Sequence, residues 1–258
     1  MNEIRAHVAA STGLVRSVNE DSWYAGEHLF VVADGMGGHA AGDVASRLVV
    51  DLLTSLDREG VEQADVDLVV QQANAAVLDH ARRHPEAAGM GTTVCGLVRG
   101  PQGWLAFNVG DSRCYEVARG ILRQVTVDHS EVQELVDLGQ ISREEARVHP
   151  RRNVVTRAVG QVPAPVVDFF HVVAEQGSRF LVTSDGVTLE VRDGDLARMC
   201  AEIADGALLA QRLVQAADDA GGFDNATAIV IDDAFSGEAP EPSSSTIPRD
   251  LIVREVAQ

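Results

Sequence analysis

Four aspartates in this chain occupy one kind of position. Asp34, Asp111 and Asp185 each follow closely on an apolar run and adjoin a glycine, and Asp224 sits just before another apolar run. Aspartate is disfavoured within strands, so one such placement is an ordinary turn. Four of them suggest that strand ends bring carboxylates to one place. Crowded carboxylates repel one another unless they are protonated or hold cations. Hard divalent ions with oxygen ligands, Mg²⁺ or Mn²⁺, are the natural occupants. No Cys/His spacing of the zinc-binding kind is present, which argues against a structural zinc.

The stretch Leu29 to Gly42, LFVVADGMGGHAAG, concentrates this pattern. An apolar run, Leu29–Ala33, stops at Asp34, and Gly35, Gly37, Gly38 and Gly42 follow. The expectation is a buried strand that delivers a carboxylate, then a backbone that a metal ion or a phosphate can approach. A tight strand-to-helix turn is the competing reading of these residues alone.

The elements that would position these residues can be read from periodicity. Ile4–Ala10 and Ser22–Ala25 read as strands, the second forming a hairpin with Leu29–Ala33 across Glu27-His28. Val44, Ala45, Leu48, Val49, Leu52, Leu53 and Leu56 mark an amphipathic helix. Val66, Val69, Val70, Ala73, Val77 and His80 mark a second, with His80 a packed or surface histidine rather than a ligand. From Thr92 to Val127 short connections predict an antiparallel meander, with Trp104, Phe107 and Tyr115 on sheet faces. Ser130-x-x-Gln133 and Ser142-x-x-Glu145 have capping-box form and predict short helices over Val132–Leu138 and Arg143–Arg147. Strands are expected at Val154–Val159, Val166–Val173, within Arg179–Gly186, and at Ala226–Ile231. Helices are expected at Asp193–Ile203 and Gly206–Ala220, with Asp193 and Asp195 as helix-start residues. The fold class is therefore α+β, two antiparallel sheets packed together with helix pairs outside, over about residues 1–233. Residues 234–258, with Pro240, Pro242 and a triple serine, read as a flexible tail.

Composition narrows the function classes. A formal net charge of -18 over 258 residues argues against a nucleic-acid surface. No apolar run approaches the roughly 20 residues of a membrane helix, and MNEIRAHVAAS is not a signal peptide. Cys95, Cys114 and Cys200 form no paired framework and read as small buried hydrophobes. A cytoplasmic protein without a membrane or nucleic-acid partner is expected.

GLVRSVNED, VVADGMGGHAAG, GTT, NVGDSR, VTSDG and FDN, in this order and spacing, resemble the metal-dependent protein serine/threonine phosphatases of the 2C type (PP2C, PPM), over about Gly13 to Ile231. DHSEVQELVDLGQISREEARVHPRRNVVTRAVG is similar to the bacterial members partnered with eukaryotic-like kinases. The resemblance implies an αββα sandwich with two divalent cations, Mn²⁺ or Mg²⁺, in a cleft at one end. Asp34 would bridge them, Gly35 would lend its carbonyl to one, and Asp185 and Asp224 would complete the other's protein ligands. Asp111, with Asp185, fits a third-metal position. Glu20 and Asp21 would hold metal-bound waters, and Arg16 would clamp the substrate phosphate. Residues 138–153 would form a flap beside the cleft. The implied reaction is hydrolysis of phosphoserine or phosphothreonine by a bridging metal-bound hydroxide, the cations lowering the pKa of its parent water. Phosphorylated proteins, substrates of Ser/Thr kinases or the kinases themselves, would be the partners of a monomeric enzyme. Met36 stands where many eukaryotic relatives have a histidine proposed as general acid; His39, three residues on, is the candidate substitute. Arg16 has an alternative as a surface ion pair with Glu20 or Asp21. The alternatives to an active phosphatase are a non-catalytic or partner-dedicated phosphoprotein-binding regulator of the same fold, and a phosphoesterase for small molecules.

Overall fold

In the computed structural model, residues 3–37, 41–174 and 177–234 are described. Two antiparallel sheets form the centre. The first contains β1 (Glu3–Ser11), β7 (Arg113–Ala118), β8 (Ile121–Gln124), β10 (Arg179–Thr183) and β11 (Ala226–Ala234), in the order β1-β11-β10-β7-β8. The second contains β2 (Asp21–Ala25), β3 (Leu29–Met36), β5 (Val94–Gly100), β6 (Gly103–Val109) and β9 (Asp168–Val172) in that order, with the two-residue β4 (Gly91–Thr92) pairing β3.

Strand alternation builds the layers. In β3, Phe30 and Val32 point into the space between the sheets, where they join Leu97, Trp104, Phe180, Val182, Ile229 and Ile231. Leu29, Val31 and Ala33 point the other way, onto α1 (Gly42–Leu53) and α2 (Gln63–Arg83). The other sheet does the same: Leu181, Ala228 and Val230 pack under α5 (Asp185–Glu190), α6 (Asp193–Glu202) and α7 (Gly206–Asp219). A strand buried on both faces reads as a continuous apolar run, which is why LFVVA lacks polar alternation. The expected four-layer α+β sandwich is the fold observed.

Three expectations need correction. The meander over Thr92–Val127 does not stay in one sheet: β6 pairs β5 and β9, whereas β7 pairs β10 and β8. The chain crosses between sheets at Gly110-Asp111-Ser112. Gly110 has φ 116°, and a Cβ there would meet the Thr93 side chain at 2.5 Å; Asn108 Nδ2 donates to the Gly110 carbonyl at 2.9 Å and Gly110 N–H to His129 Nδ1 at 3.0 Å. Val154–Val159 is not a strand and makes only isolated bridges, Ser130–Val155 and Thr92–Val159; its apolar residues tie a loop down without a continuous ladder. The strand at Leu29 does not stop at Asp34 but runs to Met36, because Gly35 and Met36 pair with Thr92 and Gly91.

Just before and within residues 138–153, expected as the flap, the chain forms α3 (Glu131–Asp137) and α4 (Arg143–Val148), neither with a buried residue. Ser142 and Glu145 make the reciprocal capping box. Ser130 caps α3 through Gln133 N–H, but the Gln133 side chain turns forward to Asp137 at 2.7 Å, so that box is half-made. All but the first residue of the expected tail falls outside the described residues.

Candidate active site

One end of the sandwich collects the acidic residues. Asp34 lies in β3 directly opposite Asp21 in β2. Asp111 sits in the crossing between sheets, Asp185 opens α5, and Asp224 precedes β11. Thr93 knits the first of these to the crossing: its hydroxyl accepts from Asp34 N–H at 3.0 Å and lies 2.7 Å from Ser112 Oγ. Its own N–H donates to the Asp34 carbonyl at 2.9 Å.

Close backbone approach is built in at Gly35 and Gly42. A Cβ on Gly35 would stand 2.2 Å from the Gly42 carbonyl oxygen and 2.6 Å from that of Glu20. A Cβ on Gly42 would meet the Glu20 carboxylate at 2.8 Å. The two glycines let α1 seat against the end of β3 beside Glu20.

The loop that carries Arg16, Glu20 and Asp21 is held by Asn225, which sequence reading passed over. Asn225 is buried; its Oδ1 accepts from Glu20 N–H at 2.8 Å, and its Nδ2 donates to the Thr12 and Val18 carbonyls at 2.9 and 3.0 Å. Ser184 and Thr227 were missed as well. Their hydroxyls donate to Asp21 Oδ2 at 2.8 and 2.6 Å, tying Asp21 to the other sheet. Only the FDN triplet hinted at Asn225; no local pattern marks a serine or threonine that serves a distant carboxylate.

Arg16 pairs not with Glu20 or Asp21 but with Asp224, at 2.7 Å, with about half its side chain exposed. Asp193 and Asp195 lie in the first turn of α6, as expected. His80 stacks on His84 with ring centroids 4.3 Å apart. His39 lies outside the described residues. Met36, at the end of β3, has no proton to donate.

The electrostatics is that of acids held too close. Burial, then the charges of Asp21, Asp185 and Asp111, push Asp34 well above the usual carboxylate range. Burial, then the charges of Asp185 and Asp128, do the same to Asp111. Burial raises Asp185 to about 6, with Asp224 adding to it, and Asp21 to about 7 against the pull of its two hydroxyl donors. The Asp34 and Asp185 carboxyls lie close enough to act directly on each other's ionisation, and two acids so placed repel unless a counter-charge joins them. Among the described residues no three His, Cys, Asp or Glu side chains form a ready-made coordination shell: Asp34 and Asp185 face each other, Asp224 faces Arg16, and Asp21 faces hydroxyls. Asp21 Oδ1 is buried without any partner. An all-oxygen donor set of crowded, buried carboxylates and an orphaned carboxylate oxygen fit hard divalent cations, which would supply the missing counter-charge.

The protein phosphatase 2C family profile matches residues 15–210. The serine/threonine protein phosphatase PstP of Mycobacterium tuberculosis is 40% identical over 233 residues, 89% of this chain. The chain belongs to the protein phosphatase 2C family. The serine/threonine phosphatase stp of Listeria monocytogenes is 33% identical over 241 residues, covering 89% of this chain and 96% of the relative. The M. tuberculosis PstP/Ppp crystal structure superposes with a TM-score of 0.84 at 39% identity, covering 90% of this chain and 99% of that one. A PstP catalytic domain in complex with two manganese ions matches with a TM-score of 0.82 at 38% identity, with the same coverage. The chain spans about half, 45%, of the length of the curated M. tuberculosis relative. In this chain the acidic residues lie on β2, β3, the β6–β7 crossing, α5 and the turn before β11.

Proposed function

We propose that this chain is a metal-dependent protein serine/threonine phosphatase. The observation that carries the reading is the close-set, buried cluster of Asp34, Asp111, Asp185 and Asp21 at the joint of two sheets, with Arg16 at its rim. Asp34, the Gly35 carbonyl, Asp185 and Asp224 would hold two divalent cations, Mn²⁺ or Mg²⁺, and Asp111 a third. Bound there, such cations would supply an activated water and counter-charge for the phosphoryl oxygens. The relative solved with two manganese ions supports this assignment.

The chain's own groups then have defined tasks. Asp21, held by Ser184 and Thr227, and Glu20, held through its N–H by Asn225, keep acceptors in place for ordered water. Arg16 stands at the edge of the cluster with its guanidinium partly in solvent. There it can exchange Asp224 for two phosphoryl oxygens, a task its planar fork suits better than an ammonium would. Met36 leaves the leaving-group proton to another donor, with His39 the candidate. An unchanged pH–rate profile in His39→Gln would remove it from that role.

The relatives' names support phosphoproteins as the substrates, with Ser/Thr kinases or their targets the class expected. No helix among the described residues is long and apolar enough to cross a membrane; we place the protein in the cytoplasm, acting as a monomer. The test is turnover of a phosphothreonine peptide with Mn²⁺, with EDTA, and in Asp34→Ala and Asp224→Ala. Full activity in chelator or in both variants overturns the mechanism. A wild type inactive in every condition, yet binding the peptide, would favour the phosphoprotein-binding regulator instead.

A further inference from the structure

The chain contains no lysine: its 21 basic residues are all arginines, and five of them fall between residues 143 and 157. Two of the five fasten the flap, and a third, Arg157, ties the chain just after it to β9. Arg147 donates to the carbonyls of Thr188 and Leu189 in α5 at 3.2 and 3.1 Å. Arg151 pairs with Glu131 in α3. Arg157 reaches Asp168 at 2.8 Å and His129 Nε2 at 3.1 Å. The other two, Arg143 at the start of α4 and Arg152 in the loop after it, are exposed, and their guanidinium groups have no hydrogen-bond or ion-pair partner among the described residues.

Both free arginines line a cavity of about 120 Å³ whose wall also includes Asp111 and Asp185. Arg113, in the same wall, is saturated by Asp128 through bonds of 2.9 and 2.6 Å. Asp193 lies 3.6 Å from Arg147, and Glu144 is the flap's own acid facing the space. A chain of net charge -18 offers many carboxylates to its arginines. Two guanidinium groups that line the same cavity as Asp111 and Asp185 and have no carboxylate partner are available to a ligand. Arginine presents a planar fork of donors matched to phosphate and carboxylate oxygens, and the cavity holds such a group together with a few waters.

We propose that Arg143 and Arg152 bind a second oxyanion of the substrate, a phosphate or carboxylate a few residues from the phosphorylated residue placed at the cluster. The site would thus select phosphopeptides that are acidic or phosphorylated more than once. This rests on the phosphatase reading above and extends it from reaction to substrate class. The acidic surface repels anionic peptides in general, so a local cationic pair is where discrimination among them can be made.

The test uses the Mn²⁺-loaded protein and one peptide in three forms, each with a non-hydrolysable phosphonate analogue of phosphothreonine. The first form has that group alone, the second adds another phosphonate nearby, and the third adds glutamate there. Calorimetric titration of wild type should show the second or third form binding about tenfold more tightly than the first. Which of the two gains distinguishes phosphate from carboxylate. In the double variant Arg143→Gln/Arg152→Gln the increment should vanish while the first form binds as to wild type and the melting temperature stays put. No increment in wild type, or an increment that survives in the double variant, overturns the proposal. Turnover of p-nitrophenyl phosphate with Mn²⁺ is measured alongside. Its absence would count against the phosphatase reading, while the binding increment would still decide the role of the arginine pair.

Discussion

Replacing Gly35 by alanine should damage both the fold and the site, and the size of the effect follows from one contact. The new Cβ would stand 2.2 Å from the Gly42 carbonyl oxygen and 2.6 Å from the Glu20 carbonyl oxygen, where ordinary contact begins at 3.4 Å. Both obstructing atoms are backbone, so no side-chain rotation relieves the clash. The N-terminus of α1 or the Glu20 loop must retreat by about 1 Å, and overpacking of this kind costs about 1–3 kcal/mol. Asp34 precedes the substituted residue, and Asp21 follows the displaced Glu20, so the movement falls on the carboxylate cluster. A misplacement of about 1 Å at a catalytic site lowers activity roughly 100-fold. Urea denaturation should report the stability loss, and kcat/KM for p-nitrophenyl phosphate with saturating Mn²⁺ the catalytic one. Gly194→Ala is the matched control: it lies in α6 with nothing within 4 Å of its added Cβ, and should be neutral or stabilising by about 0.5–1 kcal/mol. If Gly35→Ala melted and turned over like wild type, the argument that α1 is seated by glycine contact would be wrong.

Other perturbations have equally definite outcomes. Asn225→Ala removes three partly buried hydrogen bonds and should cost about 2–3 kcal/mol in urea unfolding; Asn225→Asp should not rescue it, because a carboxylate cannot donate to the Thr12 and Val18 carbonyls. Trp104→Phe removes the 2.8 Å bond from the indole N–H to buried Asp233 and should cost about 1–3 kcal/mol by the same measurement. With cations chelated, the cluster should make stability fall as pH rises. Burial holds Asp185 near about 6 and Asp21 near about 7 in the folded state, whereas unfolded aspartate titrates near ~4. The folded state therefore binds more protons, and this contribution, complete below pH ~4, is lost as pH climbs towards ~7. The gap in melting temperature between Mn²⁺ and EDTA samples should widen across that window; a gap independent of pH would contradict the assignment of these carboxylates.

Much of the architecture was legible because it follows from local periodicity. The α1 stripe from Val44 to Leu53 and the α2 face from Val66 to Val77 repeat at helical spacing, and the doubly buried run at Leu29 reads as a central strand. Asp34, Asp111, Asp185 and Asp224 could be singled out because an acid beside glycine at a strand end is locally unusual. What local pattern could not contain is partnership across the chain. Nothing near Gly110 says that the next strand joins the other sheet, since that depends on Thr93, Asn108 and His129 crowding one turn.

The layers, the set of acids and the family are readable along the chain, because each rests on residue type and spacing within short windows. Packing settles the rest: Asn225 holds the Arg16 loop, Ser184 and Thr227 restrain Asp21, and Arg16 faces Asp224 rather than its own neighbours. Those contacts join residues 163 to 208 positions apart, and a hydrogen bond forms between groups that packing brings within about 3 Å, whatever their separation along the chain.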